Sequence, residues 1–264
     1  MKYLLVITLI FGVLFPSLAY SEDISQAFIS DYESRDSVYV YKGTLKERSR
    51  YTSSIKRLDQ NGRVYYKFTE SGSGDYDKYK DISWESTARL EEVGGFLYTI
   101  YSTQTIKDKD GSIIIMHEKL FDYEKNKVEY IAKDFQGNII KKQAFPIKDK
   151  TTDNISLVYF LRALIAHRGD KGYRSFYLIS NEPRRYRINV KVIGEEALRL
   201  PGKEVTAIKL RLIPDMGILT GLSNALIPPT YVWHGKESPY MWLQYEGLES
   251  GLGSECIVTY VLDK

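Results

Sequence analysis

One stretch constrains the chain more than any other. Thr152 to Gly169 reads as a helix in a sequence that otherwise alternates like strands. Thr152 or Asp153 can cap its first free N–H groups, and Gly169 stands where a C-terminal cap belongs. Leu157, Phe160, Leu161 and Leu164 recur at helical spacing on one face. Ile155, Val158, Tyr159 and Ile165 make most of the other face apolar too. A helix apolar nearly all round is buried, and about 15 residues are too few to cross a bilayer. The pattern therefore predicts a plug or cover at about 153–168, packed on a sheet.

The rest of the chain supplies that sheet. Residues 51–58 and 64–70 read as strands flanking Asn61-Gly62, a strong hairpin signal. Ser71-Gly72-Ser73-Gly74-Asp75 reads as a loop. Residues 83–92 suit a strand or a short helix. Strands at 96–105 and 112–121 flank Lys109-Asp110-Gly111, and strands at 127–133 and 139–145 flank Gln136-Gly137-Asn138. Short turns between successive strands predict an antiparallel meander. After the helix come strands at 173–179, 185–193 and 205–212, the last two joined through Pro201-Gly202. Tyr186, Ile188, Val190 and Val192 are expected on one face, as are Ile208, Leu210 and Leu212. Residues 213–229 form a long, apolar-tinged connection. Closing strands follow at 230–233, 240–245 and 255–262. Ile24, Phe28 and Ile29 suit a short helix somewhere within 21–36. Tyrosine is frequent at 22 residues, which favours strands with half-wet faces. The expected class is mainly β (α+β).

The N-terminus carries an address. Lys2, the apolar run from Tyr3 to Phe15 and the small-x-small site Ser17-Leu18-Ala19 read as a signal peptide over 1–19. A single domain over 20–264 is expected to follow, with a meander over 20–150 and the helix plus closing strands over 151–264. The expected location is periplasmic, with cleavage near Ala19 and no transmembrane segment afterwards. Cys256 is the only cysteine; it permits no internal disulfide and reads as a buried small hydrophobe. A net charge of +3 does not point to nucleic acid.

Chemical motifs are few. His117, His167 and His234 lack close ligand spacing, so no metal site is expected. No nucleophile elbow or phosphate loop is present, and no carboxylate pair stands out as acid and base. No catalytic residues, no cofactor and no enzyme activity are expected. Arg185, Arg187, Lys191, Lys209 and Arg211 share a face that reads as a solvated surface or an anion-facing patch. Arg162, charged within the apolar helix, can pair with an interior carboxylate, snorkel to the rim or hold an anionic headgroup. Trp84, Trp233, Trp242, Tyr231, Tyr240 and Phe160 fill a core or line a pocket.

Some of these residues carry a resemblance. Asp153-x-Ile155-Ser156-x-x-Tyr159-x-Leu161-Arg162 resembles the Asp-x-Leu-Ser-x-x-Tyr-x-Leu-Arg signature of an exported bacterial family, domain of unknown function 3108. Tyr186 to Glu196 is similar to its next strand, Pro201-Gly202 to its turn, and Phe121 to Val128 to its strand before the helix. Val232-Trp233 followed by Pro239 resembles its closing strand. The likeness spans roughly 110–262. The family's Ser-Asp-Asp after the Trp is replaced here by His234-Gly235-Lys236-Glu237-Ser238. The family resembles the lipoprotein-carrier (LolA/LolB-like) class of envelope folds. That likeness implies a curved antiparallel sheet, an incomplete β-barrel, with helices on its concave face and an apolar ligand between.

The combined expectation is an envelope protein binding a lipid or lipoprotein acyl chain between helix and sheet. Leu157, Phe160, Leu161, Arg162 and Leu164 from the helix would line the site, with Trp233 and Trp242 from the closing strands. The alternative is a non-enzymatic structural or interaction protein with a filled core and an envelope protein as partner.

Overall fold

The turns decide the topology. Asn61 and Gly62 both take positive φ, 52° and 73°, the type I′ geometry whose twist matches that of the strands it joins. They link β2 (Glu47–Gln60) to β3 (Arg63–Tyr76) residue for residue. Similar short turns carry the chain on through β4 (Tyr79–Val93), β5 (Phe96–Lys107), β6 (Ile113–Asp122), β7 (Lys127–Lys133) and β8 (Ile139–Pro146). In a computed structural model, residues 29–148, 150–166, 174–215, 227–250 and 254–262 are described. The expected signal peptide, Ile24 and Phe28 with the short helix expected there, His167, Gly169 and most of the 213–229 connection lie outside them.

The meander starts at β1 (Tyr32–Tyr41), in the middle of the sheet, and runs outward to β8. The chain then places β9 (Thr151–Asp153) and the helix α1 (Leu157–Ala166). It returns through β10 (Arg174–Ile179), β11 (Arg185–Leu200), β12 (Lys203–Pro214), β13 (Thr230–Gly235), β14 (Trp242–Leu248) and β15 (Cys256–Val261). β15 pairs with β1, so both halves share one 15-stranded sheet ending at β8 and β9. Every pairing is antiparallel except β9 with β10. The sheet is large, curved and not closed. The mainly β class and the covering helix hold.

α1 lies between the two arms of this sheet, and its sequence explains why. Phe160, Leu161, Leu164 and Ile165 pack on Phe176, Val190, Ile208, Leu210 and Val232 of the C-terminal arm. Tyr159 and Ala163 pack on Ile55, Tyr66, Phe68, Ala88 and Leu90 of the N-terminal arm. An all-round apolar helix suits a position with sheet on both sides. It begins later than expected. Asp153 lies in β9, and its Oδ1 accepts the N–H of Ser156 at 2.9 Å, capping the turn that leads into the helix. The carbonyl of Ser156 then accepts from Phe160 N at 3.1 Å.

Several local expectations are corrected. Residues 71–75 form no loop: β3 runs through them, and Gly72 pairs with both Tyr51 and Trp84. A Cβ on Gly72 would meet the Trp84 ring at 2.2 Å, so glycine here makes room for an indole rather than for a turn. Residues 83–92 are strand. Tyr32–Asp36 are strand, paired with β2, and Ile29 is buried in the core beneath α1. Val192 is exposed, because a bulge between Val192 and Gly194 breaks the alternation. Cys256 is half-buried rather than buried, and burial raises its thiol pKa.

Candidate functional site

Strand register turns scattered residues of the N-terminal arm into ordered rows across its concave face. The first row is Glu33, Ile55, Phe68, Ala88, Ser102 and Lys119, each paired with the next across β1 to β6. Its middle is apolar and carries α1; its ends are charged and fasten the helix. Glu33 receives a two-pronged contact from Arg162, at 2.8 and 2.9 Å. The same guanidinium donates through Nε to the Pro239 carbonyl and lies 2.9 Å from Met241 Sδ. Of the three roles open to Arg162, the geometry shows the pairing with an interior carboxylate. At the other end Lys119 Nζ lies 2.7 Å from Asn154 Oδ1, 2.6 Å from Asn181 Oδ1 and 3.4 Å from Asp153 Oδ2. Ser102 donates a short bond to the same Asp153 oxygen. Burial lowers the pKa of Lys119. Both ion pairs are out of water, so each holds the helix only while both partners are present.

Two residues further along every strand lies a second row: Arg35, Ser53, Glu70, Ser86, Gln104 and His117. Every member is polar. The third row, Tyr51, Gly72, Trp84, Ile106 and Ile115, is again mostly apolar. Beyond the N-terminal turn of α1 these rows wall a cavity of about 1110 Å³. Ile155, Leu157, Val158, Tyr159 and Arg162 face it from the helix side. Leu178, Tyr186, Ile188, Leu212, Trp242 and Tyr245 face it from the C-terminal arm. The interior thus has apolar walls crossed by a polar girdle, with further charged side chains such as Asp77, Lys78 and Glu249 on its lining.

The girdle is hydrogen-bonded. Gln104 Nε2 donates to Ser86 Oγ at 3.2 Å, and Asn181 Nδ2 donates to Gln104 Oε1 at 2.6 Å. Tyr130 donates its hydroxyl proton to the Asn181 carbonyl at 2.9 Å and lies 2.7 Å from His117 Nδ1. A hydroxyl that has given its one proton can only accept, so His117 carries its proton on Nδ1. Burial pushes the pKa of His117 down to about 4, so the ring is neutral near pH 7. Glu70 Oε1 accepts from Trp84 Nε1 at 2.8 Å. Burial pushes this carboxyl up to about 7, against the smaller opposing effect of the indole.

The structure divides the residues expected to line a ligand site. Leu157, Arg162 and Trp242 border the cavity. Phe160, Leu161 and Leu164 sit one helical face away, in the packed core with Phe176 and Val190. Trp233 is on the opposite face of its strand from Val232. It packs with Leu198, Leu200 and Leu243, and its Nε1 donates to Glu196 at 2.7 Å. Alternation along β13 sends it there. Glu70, Gln104, His117 and the cavity tyrosines Tyr39, Tyr51 and Tyr76 were not anticipated. Their only sequence signal is register: a polar position recurring at matched depth in successive strands, visible once the hairpins are aligned. The basic face of β11 and β12 is interleaved with acids, Arg187 with Asp215 and Lys209 with Glu196.

Residues 118–247 match the family described as "Protein of unknown function (DUF3108)", which upholds the sequence resemblance over that part of the chain. No curated protein matches. Among solved structures, the chain is similar to a "beta-barrel-like protein of domain of unknown function DUF1849" from Brucella abortus. The identity is 11%, the match covers 88% of this chain and 95% of that one, and the TM-score is 0.49. It is also similar to a "putative lipoprotein" from Parabacteroides distasonis ATCC 8503, at 7% identity, 89% and 95% coverage and a TM-score of 0.31.

Proposed function

We propose that this protein is a non-enzymatic, exported binding protein of the cell envelope. Its ligand is an apolar chain, the acyl part of a lipid or lipoprotein, held in the cavity between α1 and the sheet. The observation that carries the reading is the cavity itself, about 1110 Å³ with Leu157, Val158, Ile106, Ile115, Ile188 and Trp242 on its walls. Small-molecule sites commonly enclose about 300–1,000 Å³ between mostly apolar walls. Each buried methylene gains about 0.8 kcal/mol, so about ten of them gain roughly 8 kcal/mol before the costs of association. The periplasmic location rests on the pattern of Met1 to Ala19, and the lipid-carrier reading on the resemblance to carrier folds that the helix motif's family implies.

The test is uptake of a fluorescent acyl probe. Leu157→Trp, which fills the cavity, should lower uptake while the protein still melts cooperatively. Lys209→Glu, on the far side of the sheet, should leave uptake intact. If the wild type takes up no apolar probe, the structural alternative replaces this reading. One observation favours that alternative: Phe135, Ile139 and Ile140 are exposed at and beside the edge strand β8, where an envelope partner could pack.

A further inference from the structure

Three acids of the concave face come with their own cation. Glu33 is paired with Arg162, Asp153 with Lys119 and Glu249 with Arg48. Glu70 differs. One carboxylate oxygen takes the Trp84 N–H, and among the described residues no Lys or Arg forms an ion pair with it. The nearest cation of its row, Arg35, is two strands away, about 10 Å by strand spacing, and donates to Met241 Sδ. Glu70 nonetheless lines the cavity, as do the rings of Tyr39, Tyr51 and Tyr76. Tyr39 lies 5.1 Å from Tyr51 and 6.3 Å from Tyr76, centroid to centroid, and Tyr76 stacks at 5.0 Å on the same Trp84 that holds Glu70. A carboxyl group among electron-rich rings is a receptor for an ammonium group: the rings attract a cation through their faces, and the carboxylate supplies the counter-charge.

We infer that the cavity selects an apolar chain bearing an amine or quaternary ammonium group, received by Glu70 together with Tyr39, Tyr51 and Tyr76. This deepens the proposed function and rests on it. The apolar walls on either side of the girdle then hold the chain, and the girdle reads its polar end. Burial without a resident cation keeps the Glu70 carboxyl hard to ionise; an arriving ammonium reverses that by pairing with the carboxylate. A fatty acid would bring a second carboxylate to the same girdle and be disfavoured.

The experiment is competition against a neutral fluorescent probe, N-phenyl-1-naphthylamine, at pH 8. Three twelve-carbon chains compete below their micellar concentrations: dodecyltrimethylammonium, dodecanoate and dodecanol. The wild type should prefer the ammonium over the carboxylate by about tenfold or more. Glu70→Gln should bring the two within about twofold, with dodecanol competing as before, which also reports an intact cavity. Tyr39→Leu, which spares the carboxyl, should erode the preference severalfold. Equal or tighter binding of dodecanoate by the wild type, or a preference that survives Glu70→Gln, overturns the inference while leaving the cavity reading standing. Failure of all three chains and of the probe overturns both.

Discussion

Glu33→Ala should be among the most damaging single substitutions in β1. The Arg162–Glu33 pair has two contacts at 2.8 and 2.9 Å, with the two side chains only 2% and 8% exposed. Removing Glu33 leaves a guanidinium enclosed by protein, facing the Pro239 carbonyl and the Met241 sulfur. Neither group carries a compensating charge. Breaking a buried pair from one side costs about 3–5 kcal/mol, a large part of a typical stability of about 5–15 kcal/mol. Replacing both partners, Glu33→Leu with Arg162→Met, removes the stranded charge and should restore most of the loss. The assay is a urea melt of the three proteins. With a slope of about 2–3 kcal/mol/M, the single variant should shift its midpoint by about 1 M or more. A loss below about 1 kcal/mol, or a double variant as unstable as the single one, would show that the pair is solvated and that α1 is not wedged between the arms.

Other perturbations test neighbouring parts of the argument. Leu161→Ala removes a side chain with 0% exposure and should cost about 2–5 kcal/mol; a loss under about 0.5 kcal/mol in the same melt would make the helix peripheral. Gly72→Ala drives a methyl group to 2.2 Å from the Trp84 ring and should cost about 1–3 kcal/mol, with a change in indole fluorescence; an unchanged melt would mean that the strand yields there freely. The pH dependence has a definite sign. Glu70, lifted from 4.5 to about 7, holds a proton in the folded state that the unfolded chain has already released, so its contribution is fully present below pH 4.5 and is lost as pH rises to about 7. Its neighbours Tyr39, Tyr51 and Tyr76 all have raised pKa values and stay neutral through that window. Glu70→Gln should therefore gain on the wild type between pH 4.5 and 8 by at most about 3 kcal/mol; a difference independent of pH would refute the burial argument. His117 and His234, pushed down to about 4 and about 3, act oppositely, losing their contribution as pH falls below 6.5, so the variant-minus-wild-type difference is the quantity to follow.

Legibility followed the range of the physics. The meander and its turns could be read because Asn61-Gly62 and the short breaks at Gly111 and Gly137 act locally, through positive φ. The helix could be read because its apolar girth is contained in one segment. Gly72 was misread because its reason is a ring twelve residues further along, brought opposite by pairing with β4. The strand β1 was not legible because partner strands, not local propensity, decide the conformation of Tyr32–Tyr41. The cavity lining was only half visible. Leu157 and Trp242, singled out by placing helix and closing strands together, border the cavity, but the girdle through Glu70, Gln104 and His117 spans four strands of the other arm and exists only in register. Trp233 shows the reverse failure: an aromatic residue of the right strand, one position out of phase with the concave face.

The most direct test is native mass spectrometry of the protein purified from its own envelope, followed by lipid extraction. The account predicts a population heavier than the polypeptide alone by the mass of one chain-bearing molecule, released on denaturation and diminished in Leu157→Trp. A bare chain mass in every preparation, together with an extract free of lipid, would contradict it.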